Sequence, residues 1–401
     1  MLNNNLVFPI LLMLVICFLI NPVSFAQVRC DILKNSYQAT SKTQPNNYFK
    51  NRSKHSFQIV FHILYSNEEE NIGFSQILSQ IEVLNSIYDK EVNKQDLNIP
   101  SAFRHLKTNP DIHFCLANKD PNGQTSYGVT RTQINNISIA CKKEFGKRSI
   151  MHKSLGGLDI WNPDQYINVF VVNRDDCDVL GETIYPWDAT NEEDGIILDY
   201  RAVGFIGAAT SNYPFHQGKT LVHEMGHYFG LKHLSDGATN CQSDDLVADT
   251  PPQDTEYFKC PTYPQSRCGN ILMTMNYMCL VNDPCMHLFT KDQVTRMHMI
   301  IDQYRNKLLN FPCIGKTDTS INQLIWLYNE GFWQIKSPDN LPWKGVLELF
   351  DITGRLMWSG TVKETISISI PQVGMNLLSG VYFLRIQHDS QLKIFKLIKY
   401  S

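Results

Sequence analysis

The segment "HEMGHYFGLKH", residues 223–233, constrains this chain of 401 residues more than any other stretch. His223 and His227 are four residues apart, so on a helix both imidazoles lie on one face and can reach one ion. Glu224 would then stand beside that ion rather than on it. Gly230 permits the turn that ends the helix, after which the chain can return His233 as a third ligand. Three imidazoles and one open position predict a catalytic zinc site, and the alternative is a surface helix with solvated histidines.

The pattern H-E-x-x-H-x-x-G-x-x-H resembles that of the metzincin metalloproteases. That group also has a methionine in a turn beneath the zinc, and "NYM" makes Met278 the candidate, with ordinary core packing as the alternative. Within the group, the chain resembles the pappalysin family over residues 55–315. The segments that carry this resemblance include "IVFHILYS", "SQIEVLNSIY", "YINVFVVN", "VADTPPQ" and "CMHLFTKDQVTRM". It implies an α/β (α+β) catalytic domain with a twisted mixed sheet and an active-site helix.

The resemblance also implies an activity. It predicts a zinc-dependent endopeptidase that hydrolyses protein or peptide substrates, with Glu224 as general base and Zn²⁺ on the three histidines. The segment "GETIYPWDA" is expected to hold an extended substrate by main-chain hydrogen bonds. A zinc-binding pseudoprotease or a surface adhesion protein is the alternative.

One position departs from the family. A tyrosine thought to assist the tetrahedral intermediate usually stands two residues after the turn methionine, and here Leu280 stands there. Leucine cannot donate a hydrogen bond. Because losing one such donor typically costs about 10²–10³ in rate, the sequence predicts either a slow enzyme or a different donor.

The eleven cysteines of an exported chain favour disulfides. A spacing similar to that of the family implies the pairs Cys241 with Cys268 and Cys260 with Cys285. The sequence leaves open the pairing of Cys30, Cys115, Cys141, Cys177, Cys279 and Cys313.

Two further sites rest on the resemblance. Cys30, after Arg29, resembles a pro-segment cysteine that blocks the zinc and keeps the enzyme latent, and the alternative is a disulfide. Related enzymes bind calcium near "DDLVADTPP", which suggests Ca²⁺ at Asp244, Asp245, Asp249 and Thr250. A solvated acidic loop is equally compatible with that segment.

Helical periodicity predicts three helices: one with its apolar face at 77–88, the histidine helix at 217–233, and a closing helix at 290–309. Thr290 and Gln293 are spaced as a capping box at the start of the last helix.

The chain divides into four parts. Residues 1–26 predict a cleaved secretory signal, with an uncleaved anchor as the alternative. Residues 27–54 are polar and predict a pro-segment or linker. Residues 55–315 form the predicted catalytic domain, and 316–401 a small all-β sandwich unit.

The C-terminal unit resembles the sorting domains of the type IX secretion system in "LELFDITGRLMWSG", "LLSGVYFLRI" and "KIFKLIKY". This implies outer-membrane secretion machinery as a partner and a secreted or cell-surface product, and a generic β-sandwich binding module is the alternative. The net charge of −3 gives no field that favours nucleic acid. We expect a monomer.

Overall fold

The computed structural model describes residues 28–30, 54–93, 95–124, 126–212, 214–235, 241, 245–313, 325–329, 332–336, 343–365, 367–371, 380–388 and 391–399. The predicted signal at 1–26, most of the pro-segment and Asp244 lie outside these residues. Within them, no helix combines the length and the apolar character needed to cross a bilayer.

A seven-stranded mixed sheet forms the centre of the first unit. Its strands, in chain order, are β1 (Val28–Cys30), β2 (His55–Tyr65), β3 (Ile112–Leu116), β4 (Val129–Gln133), β7 (Ile167–Val172), β8 (Val179–Thr183) and β9 (Ile196–Asp199), with the short hairpin β5 (Lys143–Glu144) and β6 (Lys147–Arg148) outside it. The spatial order is β1-β8-β9-β7-β2-β3, and β4 pairs with the second half of β2. All pairs are parallel except β8 with β9. The expected mixed sheet is therefore present, and the segments "IVFHILYS" and "YINVFVVN", which carry the family resemblance, supply most of β2 and all of β7.

Helices cover one face of this sheet. They are α1 (Phe74–Tyr88), α2 (Ser101–Arg104), α3 (Lys219–Tyr228) and α4 (Lys291–Tyr304). Alternate residues of β2, such as Phe57 and Ile59, pack against α1 and α3, whereas Leu64 faces a second cluster on the other side. Since β2 and β7 are buried on both faces, their sequences are mostly apolar on both faces, with a few buried polar residues such as His62 and Asn168.

The histidine helix is shorter than the predicted 217–233. It ends at Tyr228, and Gly230 follows with φ +81°, a conformation that favours glycine. A Cβ at Gly230 would stand 2.7 Å from the Ile300 side chain of α4, so close helix packing also requires glycine here. The capping box of Thr290 and Gln293 is confirmed, but α4 ends at Tyr304 and a 3₁₀ turn covers Asn306–Asn310.

Disulfides fix the irregular connections. The structure contains Cys241–Cys268 and Cys260–Cys285, the two pairs that the resemblance implied. It also contains Cys115–Cys313 and Cys141–Cys177. Within the described residues, Cys30 and Cys279 take part in no disulfide, and both are buried.

The described part of the C-terminal unit is all β, in agreement with the sequence analysis. One sheet consists of β12 (Ile325–Asn329), β13 (Phe332–Lys336) and β16 (Ser367–Pro371). The other has the order β15-β14-β17-β18 and consists of β14 (Trp343–Asp351), β15 (Leu356–Thr365), β17 (Gly380–His388) and β18 (Gln391–Lys399). A two-stranded ribbon, β10 (Ser266–Arg267) with β11 (Asn270–Ile271), belongs to the disulfide-stapled region of the first unit.

Candidate metal centre and active site

Three histidine nitrogens converge where the sequence predicted a zinc site. The Nε2 atoms of His223 and His227 are 3.0 Å apart, and each lies 3.0 to 3.1 Å from Nε2 of His233. All three rings are buried. Zinc–nitrogen bonds of about 2.0–2.1 Å are compatible with nitrogens at such separations, so the set fits one Zn²⁺.

The opposite ring nitrogens determine which tautomer each helix histidine adopts. Nδ1–H of His223 donates to the carbonyl of Tyr277 at 2.7 Å, and Nδ1–H of His227 donates to that of Leu231 at 2.8 Å. Burial, and then the neighbouring histidines, lower the pKa of His223 and His233 well below the ordinary value. These two rings are therefore neutral, and their Nε2 lone pairs are available to a metal.

Cys30 brings a fourth atom that can bind a metal next to the three histidine nitrogens. Its Sγ and the three histidine nitrogens all lie within 4.8 Å of one another. Strand β1, which carries Cys30, pairs in parallel with β8 and buries a segment that the sequence suggested would lie outside any core. The alternative of a disulfide at Cys30 is wrong for this structure.

Glu224 lies buried between the histidine helix and β8. Thr183 donates from Oγ1 to a carboxylate oxygen of Glu224 at 2.6 Å. Burial raises the pKa of Glu224 to about 7, although hydrogen bonds from Thr183 and Cys30 oppose the shift. A Cβ at Gly181 would stand 2.5 Å from Oε1 of Glu224, so only glycine leaves room for the carboxylate. The sequence analysis missed both Gly181 and Thr183, because no spacing rule links them to the helix.

Met278 packs directly beneath the helix. A Cβ at Gly226 would stand 2.4 Å from Sδ of Met278, which is fully buried. Asn276 stabilises the turn, because its side-chain oxygen accepts a hydrogen bond from the backbone N–H of Met278 at 2.9 Å. The side-chain amides of Asn276 and Gln293 also exchange two hydrogen bonds. Leu280 is buried.

A tyrosine does stand near the histidines, but it comes from another part of the chain. The Tyr185 hydroxyl lies 3.0 Å from Nδ1 of His227, and its ring stacks on Trp187 with centroids 4.7 Å apart. Both aromatic residues belong to the predicted rim segment 181–189, of which only the first residues are strand.

A polar pocket beside α3 contains the Arg29 side chain. The guanidinium donates to Oδ1 of Asp283 at 2.7 Å, to the Val281 carbonyl at 2.7 Å and to the Thr220 hydroxyl at 3.0 Å. It also lies over the Phe215 ring at 4.9 Å. Arg29 and Asp283 have no exposed surface. Sequence analysis missed this pocket, because Arg29 and Asp283 are 254 residues apart and no local pattern links them.

The residues suggested for calcium have protein partners. Asp245 accepts from the Thr250 hydroxyl at 2.8 and 2.9 Å. The Asp249 carboxylate accepts from the Thr290 hydroxyl at 2.6 Å and from the Asp292 amide at 3.0 Å, at the start of α4. These contacts tie the loop to the closing helix, and Asp244 lies outside the described residues.

Comparisons with known proteins agree with this geometry. Residues 154–302 match the peptidase family model described as pregnancy-associated plasma protein-A. An extracellular metalloprotease of Arthroderma otae is 29% identical over 250 residues, which cover 61% of this chain and 77% of that protein. Among solved structures, mature mirolysin of Tannerella forsythia in complex with a cleaved peptide is 35% identical with a TM-score of 0.59, covering 65% of this chain and 97% of that one. A promirolysin mutant from the same organism also matches, with 35% identity, a TM-score of 0.59 and coverage of 65% and 85%.

Proposed function

Because the chain belongs to the pregnancy-associated plasma protein-A family of peptidases, we propose a chemical role for each group around its histidine cluster. The protein is a secreted metalloendopeptidase. We infer that His223, His227 and His233 hold Zn²⁺, and the convergence of their three Nε2 nitrogens is the observation that carries this proposal. The chemistry that bound zinc supplies is polarisation of the substrate carbonyl and a lower pKa for a bound water.

Glu224 acts as the proton carrier in this proposal. Its carboxylate takes a proton from the attacking water and delivers it to the leaving amine. The pKa of about 7 suits both steps, since the group can accept and release a proton near neutral pH. Thr183 orients the carboxylate through its short hydrogen bond.

Strand β8 would bind the substrate backbone. It lies next to β1 at the end of the sheet, so removal of β1 leaves β8 as an edge strand. An edge strand presents unpaired N–H and C=O groups, with which an extended peptide can pair.

We further propose that the pro-segment keeps the enzyme latent by occupying this site. Cys30 lies within ligand distance of the histidine cluster, and β1 covers β8. A thiolate is a strong zinc ligand and would displace the attacking water. The match to a promirolysin structure also supports a precursor form.

The pocket that contains Arg29 suggests a side-chain preference. One buried carboxylate, one carbonyl, one hydroxyl and an aromatic ring surround the guanidinium. A guanidinium is planar and charged, and it is bound best by oxygen acceptors that are placed to receive its N–H groups. We therefore propose that, once the pro-segment has left, the pocket binds an arginine adjacent to the scissile bond of a substrate.

A glutamine substitution tests the catalytic assignment. Glu224→Gln should retain zinc, measured by elemental analysis, and lose roughly 10²–10⁴ in peptide hydrolysis. Glu192→Gln, on an exposed loop, is the matched control and should behave as the parent does. Equal activity of Glu224→Gln and the parent would refute the proposal, whereas loss of zinc would assign Glu224 a structural role.

Other parts of the sequence analysis remain proposals. They are the cleaved signal at 1–26, the pro-segment boundary at 54, Ca²⁺ in the loop at 244–250, the sorting role of 316–401 and the monomeric state. Close packing of Asp245 against Thr250 places oxygen atoms together, which supports testing Ca²⁺ by its effect on the thermal midpoint.

A further inference from the structure

The four-stranded sheet of the C-terminal unit has two distinct faces. Directly opposed residues of antiparallel strands share a face, and successive residues alternate between faces. The opposed pairs of β14 and β17 are Leu347 with Ile386, Glu348 with Arg385, Leu349 with Leu384 and Phe350 with Phe383. The four aliphatic residues form the core of the unit. The other four residues, Glu348, Phe350, Phe383 and Arg385, therefore form its outer face.

This outer face is buried although it does not belong to the core of the unit. Phe350 is 4% exposed, Phe383 is 6% exposed and Arg385 is 2% exposed. A sheet that faced water on this side would carry exposed polar residues here. Two phenylalanines and a buried ion pair instead indicate a surface built for contact with protein.

The catalytic domain supplies that contact through Tyr127, which precedes β4. The tyrosine hydroxyl donates to Oε1 of Glu348 at 2.8 Å, and the Arg385 guanidinium lies over its ring at 4.4 Å. The Phe350 ring meets the Tyr127 ring edge-on with centroids 5.1 Å apart, and lies 6.1 Å from that of Phe74 at the start of α1.

A tight turn extends the contact. Gly354 has φ +81°, and a Cβ there would stand 2.9 Å from Cβ of Phe74. The outer face and its turn thus fit around the first turn of α1, and Gly354 is the residue that permits this approach.

Tyr127 also contacts an ion pair within the C-terminal unit. Nη1 of Arg385 is 3.2 Å from Oε2 of Glu348, and the Tyr127 hydroxyl takes up the other carboxylate oxygen. Removing charged groups from water is costly unless they are paired and hydrogen-bonded. Tyr127 therefore supplies a hydrogen bond to a carboxylate that the contact with the catalytic domain withdraws from water.

We propose that this outer face is a docking surface whose partner is the catalytic domain of the same chain. The C-terminal unit is carried folded against the protease, with Tyr127 at the centre of the contact, rather than as a freely tethered module. A factor that recognises the C-terminal unit must then use its remaining surfaces or displace the protease. Cleavage between the two units would expose Phe74 and Tyr127 on the enzyme.

A double-mutant cycle in the full chain tests this contact with conservative substitutions. Tyr127→Phe removes the hydroxyl and Glu348→Gln removes the charge that it contacts. A hydrogen bond to a charged group predicts that their effects on the unfolding equilibrium are coupled by roughly tenfold to a hundredfold. The control cycle pairs Tyr127→Phe with Leu97→Ala, at an exposed position outside the contact, and should show no coupling. No coupling in the first cycle would overturn the proposal.

Hydrogen exchange provides a second measurement. Phe350→Asp places a charge in the aromatic contact and should raise exchange in residues 126–133 by roughly tenfold. Leu97→Asp, with the same charge at an exposed position outside the contact, should leave that segment unchanged. Slow exchange in 380–388 shows that the unit itself has stayed folded. Unchanged exchange in 126–133 in a folded Phe350→Asp variant contradicts docking.

Discussion

Asp283→Asn tests the proposed arginine pocket and should remove most of its discrimination between a charged and an uncharged substrate side chain. In the structure, Oδ1 of Asp283 accepts from Arg29 at 2.7 Å, and Oδ2 accepts from the backbone amide of Gln217 at 2.8 Å. Asparagine can keep its oxygen toward that amide, but its NH₂ group then faces the guanidinium. A substrate arginine would therefore meet a donor in place of a carboxylate.

The expected magnitude follows from the burial of this pair, in which both side chains are 0% exposed. Removing one partner of a buried, hydrogen-bonded charge pair costs about 2–5 kcal/mol. Lys219 adds to the loss, because its ammonium donates to the Asp283 carbonyl at 2.8 Å and remains beside the incoming arginine. A loss of about 3 kcal/mol corresponds to roughly 10² in kcat/KM.

The assay compares two fluorogenic peptides that differ only in arginine or citrulline next to the scissile bond. Citrulline has nearly the same shape and no charge, so the ratio of the two kcat/KM values isolates the charge term. In Asp283→Asn the arginine peptide should lose roughly 10² and the citrulline peptide little. Asp176→Asn, at an exposed position, is the charge-matched control.

Two results would refute this reasoning. Equal losses for both peptides, with zinc retained, would mean that Asp283 only supports the local fold through its backbone contacts. An unchanged ratio with full activity would mean that substrate side chains do not enter the pocket.

Three further predictions concern the metal centre. Cys30→Ser should raise peptide hydrolysis by the unprocessed chain by roughly tenfold or more. Cys279→Ser, at a thiol whose pKa burial raises to about 12, should have no such effect, and equal behaviour of the two variants would contradict the latency proposal. Gly226→Ala should lower the thermal midpoint through overpacking of about 1–3 kcal/mol, because the new methyl group overlaps Met278. In a Met278→Ala background, which has its own cost, Gly226→Ala should lower the midpoint less than it does in the parent, and an equal fall in both backgrounds would count against the overlap. Tyr185→Phe should weaken zinc binding by roughly 10–100-fold in chelator competition, since it removes a hydroxyl from a zinc-binding histidine; unaltered affinity would exclude this role.

Much of the fold was predictable because its signals are local. A run rich in β-forming residues predicted β2, alternating apolar residues predicted β7, and helical spacing predicted α1 and α4, with the capping box at Thr290. Helix ends were less accurate. The histidine helix stops at Tyr228, before the glycine turn that the motif indicates, whereas the predicted range extended to residue 233. The close approach of Ile300 in α4 to Gly230, which also requires glycine, leaves no trace in the motif.

The candidate site shows the same division. The motif at 223–233 predicted the three histidines and Glu224, because metal-binding residues on one helix keep a fixed spacing. By contrast, the residues that hold Glu224 in place come from β8, where Gly181 provides space and Thr183 a hydrogen bond. Leu280 stands where the family usually has a tyrosine. The tyrosine that contacts a histidine in this structure is Tyr185, and it comes from the rim segment.

By itself, the sequence determined that this chain builds a three-histidine metal centre on a helix that ends in a glycine turn, since periodicity and backbone freedom act over a few residues. Only the tertiary structure decided what surrounds that centre. It placed Cys30 against the histidines, seated Arg29 on Asp283 and set the outer face of the C-terminal sheet on Tyr127. These contacts join residues far apart in the chain, and the pairing of buried charges and hydrogen bonds that selects them has no period in sequence.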